Sequence, residues 1–254
     1  MDPITLPRES VPREAGFRLR GAQVTRLETF VDAAFAFALT LLVIAGDNLP
    51  DSFAELREAL RRIPVFVLCF VLMAMIWSAH NRWSRRYGLE DAWSTVLSLG
   101  LVLAVLVYVY PLRMVVASGL YVMTGGFVPA DLVVDPENIT YDLQTAFIIY
   151  GLGFGVMAVI LLLLNRHALN RADDLGLDEL ERIETRGEIG IQALLAGAAG
   201  LSIAISGVLL VFEGARYGPL VAGLPMYVYM GLGLVIPFHV ARVERAKRQL
   251  TAGG

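Results

Sequence analysis

Six long apolar runs, separated by shorter polar and charged stretches, dominate the pattern of the chain. They lie at about 28–46, 63–80, 93–117, 143–165, 188–212 and 218–240. Each is close to the roughly 20 residues that an α-helix needs to cross a hydrocarbon core, so the pattern predicts an all-α, polytopic membrane protein with six transmembrane helices. The first run follows about 27 mostly polar residues and carries Asp32 inside its apolar stretch. Neither feature suits a cleavable signal peptide. No Ser/Pro-rich linker divides the rest, which predicts a tail over 1–22, one six-helix domain over 23–241 and a second tail over 242–254.

Composition strengthens the membrane reading. The 254 residues are 56% apolar and 18% charged, against about 25% charged in soluble domains, and mean hydropathy is +0.62. The net charge of −3 says little, because orientation depends on where basic residues sit. With both termini inside, sixteen of the 21 basic residues fall on the inner side. Arg57, Arg61, Arg62, Arg113 and Arg216 fall on the outer side. This excess predicts an N-in, C-in topology. Asp47, Asp51, Glu55 and Glu58, with Asp131, Asp135, Glu137 and Asp142, read as solvated outer loops. The acid- and Arg-rich stretch from Asp173 to Glu188 reads as a surface helix. It lacks the glycine and ligand spacing of a calcium loop.

The candidate chemistry is concentrated in the first run. A carboxylate inside a membrane helix is costly and usually has a partner. The second run offers Trp77 and His80, three residues apart and so on one helical face, and both can donate hydrogen bonds. We therefore expect Asp32 to be held by His80 and by Trp77; a proton relay through Asp32 is the alternative. Beyond it, Phe37, Leu41 and Ile44 follow the i, i+4, i+7 spacing of one stripe, with Thr40 on its flank. Ala33, Ala34, Ala36 and Ala38 allow close helix approach. Spacing alone reads as a stripe facing lipid or core rather than as a functional surface.

Arg26, Phe30 and Asp32 fall on an R-x-x-x-F-S-D pattern that opens the first helix. Phe35 and Ala36 follow it, then the run Thr40-Leu41-Leu42-Val43. Trp77 and His80 form W-x-x-H, and Pro111 suits the end of the third helix. Over about residues 20–117 the chain resembles the bacterial branch of the transmembrane protein 175 potassium-channel family. The resemblance implies a homotetramer in a bacterial inner membrane, with the first helix of each subunit lining a central pore. It implies a hydrophobic gate at Phe37 with further rings at Leu41 and Ile44, in place of a filter of backbone carbonyls. It associates Thr40 with potassium preference through transient ion contact. It makes Arg26, Phe30 and Asp32, with Trp77 and His80, a structural clasp against the second and third helices. No cofactor, resident metal or nucleic acid is implied; the partners are further copies of the chain, potassium ions and the bilayer. Two departures stand out: Val31 replaces the motif serine, and Phe37 replaces a smaller aliphatic residue.

Other function classes fit less well. His80, His167 and His239 lie on different segments, and neither H-E-x-x-H nor G-x-S-x-G occurs, which argues against an enzyme. Gly151-Leu-Gly153-Phe-Gly155 sits within an apolar run and reads as helix packing. The single cysteine, Cys69, excludes an intrachain disulfide. A proton pathway or secondary transporter using Asp32, and a non-conducting membrane protein of the same fold, are the alternatives. Gly231, Gly233 and Pro237 suggest a packing kink near the end of the chain.

Overall fold

In lipid each spanning segment must satisfy its own backbone hydrogen bonds, which an α-helix does internally. The computed structural model follows that rule. It describes residues 13–14, 16–44, 51–131, 139–212 and 219–252. The helices are α1 (Arg26–Ile44), α2 (Phe53–Arg61), α3 (Ile63–Tyr87), α4 (Ala92–Met123), α5 (Ile139–Asn170), α6 (Glu179–Val211), α7 (Pro219–Ala222) and α8 (Leu224–Ala252). The one exception among the described residues is a two-residue antiparallel pair, β1 (Arg13–Glu14) with β2 (Phe17–Arg18).

Among the described residues, five helical stretches are long and apolar enough to cross a membrane: α2 with α3, then α4, α5, α6 and α8. α1 has 19 residues, about 28 Å at 1.5 Å per residue.

The helices outrun the apolar stretches that announced them. α3 continues to Tyr87, and α8 continues to Ala252 through the region expected to be a C-terminal tail. α4 runs through Pro111 to Met123 rather than ending at the proline. The separate surface helix expected over Asp173 to Glu188 is not formed. Residues 179–188 are instead the first turns of α6, because Asp178 and Glu181 close a reciprocal capping box there and no proline interrupts the helix that follows.

α1 packs on α3 and α4, α4 on α5, α5 on α6, and α6 on α8. α5 crosses its neighbours on its glycines. A Cβ at Gly153 would lie 2.3 Å from Tyr108 Cδ2, one at Gly151 2.7 Å from Ile203 Cγ1, and one at Gly155 3.1 Å from the Ala199 Cβ. These three positions are packing contacts, as the sequence suggested. Cys69 is fully buried in the core with Val65 and Met73 on the same helix.

The two ends of the bundle are tied by charge. At the end carrying β1 and β2, Phe17 is buried edge-on against Tyr87, 5.5 Å between ring centroids, with the Arg86 guanidinium 4.7 Å above its ring. The chain then presses onto the C-terminus of α3. The amide of Gly21 donates to the Arg85 carbonyl at 3.0 Å, and a Cβ at Gly21 would meet the Ser84 carbonyl at 2.6 Å. Gly88 caps α3 in the left-handed region at φ 57°, where a side chain would also strike the backbone of Arg20. Part of the expected N-terminal tail is therefore docked on the bundle. At the opposite end Asp131 is not merely a solvated loop acid: it accepts from Arg62 at 3.0 Å and Arg113 at 2.8 Å. Asp47, Asp135, Glu137 and Arg216 lie outside the described residues.

Candidate functional site

The site begins with the two faces of α1. Val31, Phe35, Ala38 and Leu42 are buried, a seam at i, i+4, i+7, i+11 that faces α3 and α4. Phe30, Ala33, Ala36, Phe37 and Thr40 are exposed, and Phe37 is 57% exposed. Val31, at the position of the motif serine, is completely buried, so its apolar side chain adds to this seam. Leu41 is half-buried and packs on the core, on the border between the faces. The Ile44 side chain lies outside the described residues.

Asp32 sits beside the buried seam. The indole N–H of Trp77 donates to its Oδ1 at 2.7 Å, which supplies the partner that a carboxylate in an apolar helix needs. The expected bond to His80 is absent. His80 is buried, with Nε2 2.9 Å from Ser98 Oγ on α4. The two residues of W-x-x-H thus engage different helices: Trp77 reaches α1 and His80 reaches α4. Trp83, one turn further, donates to the Leu164 carbonyl of α5 at 2.9 Å. Arg26 and Phe30 are exposed, and Arg26 has no ion pair among the described residues. Of the five residues expected in a clasp, Asp32 and Trp77 are the only two joined by a hydrogen bond among the described residues.

Thr40 has its hydroxyl proton committed. Its Oγ1 donates to the Ala36 carbonyl one turn back at 3.0 Å, which leaves the oxygen lone pairs free to accept. The Thr40 oxygen and the neighbouring Phe37 ring share the exposed side of the helix.

Three polar features escaped the sequence reading. The first is Glu181, whose side chain has no solvent exposure and pairs with Arg18 at 2.9 Å and Arg20 at 2.7 Å. Arg20 also donates to the Leu175 carbonyl. The hydrogen bond to Glu181 is the largest cause raising the Arg18 guanidinium above its usual value. The D-x-x-E spacing ahead of an apolar run was the available signal, since it announces a capping box. The second is Asp91, which caps α4 by accepting from the Ser94 amide at 2.8 Å. It also pairs with His167 at 2.6 Å and Arg171 at 2.9 Å. Burial pushes the Asp91 carboxyl up, but bonds from Ser94 and His167 outweigh it and hold the group well below the usual range. Nothing local in the sequence joins residues 91 and 167. The third is Glu28, buried on the inner seam of α1. His239 packs with Nε2 3.1 Å from the Gly187 carbonyl, so it is a helix-contact histidine.

No group of three or more His, Cys, Asp or Glu side chains able to hold a metal occurs among the described residues. The arrangement is an amphipathic membrane helix with a buried seam, one anchored carboxylate and an exposed row of small, aromatic and hydroxyl side chains.

Comparison with known proteins agrees with that arrangement. Residues 26–111 match the family described as endosomal/lysosomal potassium channel TMEM175. A protein of Marivirga tractuosa named "Potassium channel" is 33% identical over 192 residues, 75% of this chain and 77% of that protein. The crystal structure of a threonine-to-alanine variant of the potassium channel MtTMEM175, bound to a nanobody fusion, superposes with a TM-score of 0.73. Its sequence identity is 27%, and the match covers 94% of this chain and all of that one. These relatives are ion channels, not enzymes. The chain, a multi-pass helical membrane protein, belongs to the TMEM175 family.

Proposed function

We propose that this protein is a potassium-preferring cation channel in a bacterial inner membrane, working as a homotetramer in which four copies of α1 surround a central path. The observation that carries this reading is the division of α1. Val31, Phe35, Ala38 and Leu42 bury one face within the chain, while Phe37 and Thr40 stand on a face left exposed by the described residues. A helix so divided, in a chain whose relatives are named potassium channels, suits a pore wall.

In this reading the Phe37 rings form the apolar constriction and gate conduction by excluding water. Leu41 borders the path from the side, and Ile44 extends it towards the outer mouth. The Thr40 oxygens favour potassium over sodium because potassium gives up its hydration more readily. The Asp32–Trp77 bond fixes α1 against α3, a structural role for the motif carboxylate that competes with a proton relay. Both termini face the cytoplasm, in keeping with the bias of basic residues.

The test is reconstitution into liposomes with opposed potassium and sodium gradients, comparing the natural protein with Phe37→Ala. Potassium-preferring flux that rises in the variant supports both the channel and its constriction. Absence of flux in both proteins refutes conduction, and equal flux removes Phe37 from the gate.

A further inference from the structure

The buried seam of α1 has a polar member at its foot. Glu28 continues the series of Val31, Phe35, Ala38 and Leu42 by one step and is only 5% exposed. It stands three residues after Thr25, whose Oγ1 accepts from the Glu28 amide at 3.1 Å. A Thr-x-x-Glu start normally closes as a reciprocal box, with the glutamate reaching back to the capping residue's amide. Glu181 does this in α6, accepting from the Asp178 amide at 3.0 Å. Glu28 does not, and its carboxylate has no hydrogen-bond or ion-pair partner among the described residues.

A carboxylate taken from solvent without a hydrogen-bond donor is expensive. The start of a helix offers partial compensation through its dipole, but it does not supply a donor. The surroundings supply room for one. Glu28 borders a largely enclosed cavity between the foot of α1 and the end of α3, also lined by His80, Gln23, Thr25, Ser84 and a second acid, Glu90. The space open to a water's centre is about 10 Å³, close to the minimum that one water molecule requires. No Arg or Lys lines it. Across it, the buried His80 uses Nε2 towards Ser98 and leaves its other ring nitrogen without a described partner.

We propose that this cavity is the binding site of a single structural water that donates to the Glu28 carboxylate and bonds the second nitrogen of His80. Water suits the site because it adapts to either His80 tautomer. It donates to Nδ1 when Nε2 carries the proton, and accepts from Nδ1 when Nδ1 does. The result is a polar chain, Glu28–water–His80–Ser98, that joins the foot of α1 to α3 and α4 on the side opposite the exposed row. Glu28 is then a positioning residue for α1. The site stands independently of whether the protein conducts ions.

The test is a high-resolution structure of the full-length protein, with a second data set after replacing potassium by rubidium. The expected result is a peak within about 3.2 Å of both the Glu28 carboxylate and the His80 ring, with no rubidium signal. An empty cavity, a Glu28 carboxylate bonded directly to protein, or a rubidium peak at the site overturns the proposal. Two variants add a solution readout through the ¹⁵N resonances of His80. Glu28→Gln retains an acceptor for the water and should keep the natural His80 resonances, with little loss of thermal stability. Glu28→Leu removes the acceptor and should shift the His80 Nδ1 resonance and lower the melting temperature by about 3 °C. An unshifted His80 in Glu28→Leu also overturns it. Should that variant fail to fold, the map and Glu28→Gln decide.

Discussion

The Trp77 indole N–H and Asp32 Oδ1 stand 2.7 Å apart across the contact between α3 and α1. This bond joins the motif carboxylate of one helix to the tryptophan of the next and gives the apolar α1 a fixed polar anchor. Trp77→Phe keeps the ring and removes the donor, leaving the half-buried carboxylate unpaired. The expected loss is about 1–3 kcal/mol, read as a lower melting temperature of the detergent-solubilised protein. Asp32→Asn retains an acceptor and should lose less. An unchanged melting temperature in Trp77→Phe, together with altered proton flux in Asp32→Asn, would support a relay instead.

Thr40 donates its hydroxyl proton to its own helix, so any role in ion preference rests on its oxygen. Thr40→Ser keeps that oxygen, and Thr40→Val replaces it with a methyl of similar size. The expected outcome is a potassium-to-sodium flux ratio held in the first variant and falling towards one in the second. Equal ratios in all three proteins would remove Thr40 from the site.

Glu181 is fully buried between Arg18 and Arg20. Removing one member of a buried ion pair typically costs about 3–5 kcal/mol, because the remaining charges lose their partner. Glu181→Ala should therefore be strongly destabilising and should make the N-terminal segment around Phe17 more sensitive to limited proteolysis. A variant as stable and as protease-resistant as the natural protein would show that the segment is held by Phe17 packing alone.

Asp91 titrates well below the ordinary carboxylate range because Ser94 and His167 hydrogen-bond to it, despite the opposing effect of burial. The folded state therefore binds this proton less readily than the unfolded one. Its contribution to stability is complete above about pH 4, near the unfolded value, and is lost as pH falls below that towards the folded value. Melting temperatures measured between pH 3 and 7 should show a natural-minus-Asp91→Asn difference that shrinks on acidification. A difference independent of pH would mean that the charge of Asp91 contributes nothing.

Gly153 faces Tyr108 so closely that a Cβ would lie 2.3 Å from the ring. Gly153→Ala must displace the tyrosine and separate α4 from α5, at a cost of about 1–3 kcal/mol. Gly197→Ala, where a Cβ meets nothing within 4 Å, is the control and should melt normally.

Hydropathy alone located the core of each long helix, because membrane burial constrains residue type at every position in the apolar layer. It misplaced the ends. Residues 179–188 read as a separate surface helix because their charges break the apolar run, although they break nothing in the backbone, and α6 simply continues beyond that layer. The partner of Asp32 was legible in part. Buried-acid chemistry pointed to the Trp77 and His80 pair, but the choice between them depends on the rotation of α3 relative to α1 and α4. That rotation is set by packing, which turns His80 to Ser98. Glu28, Asp91 and Glu181 were not singled out, because only tertiary structure separates an exposed acid at a helix start from a buried one.

Cys69 is both the only thiol in the chain and completely buried. The natural sequence therefore serves as its own background for accessibility mapping. A cysteine introduced at Ala33, Ala36, Phe37 or Thr40 would be the one thiol within reach of a bulky water-soluble maleimide. Labelling from each side of the membrane would then report, position by position, how far an aqueous path extends along α1.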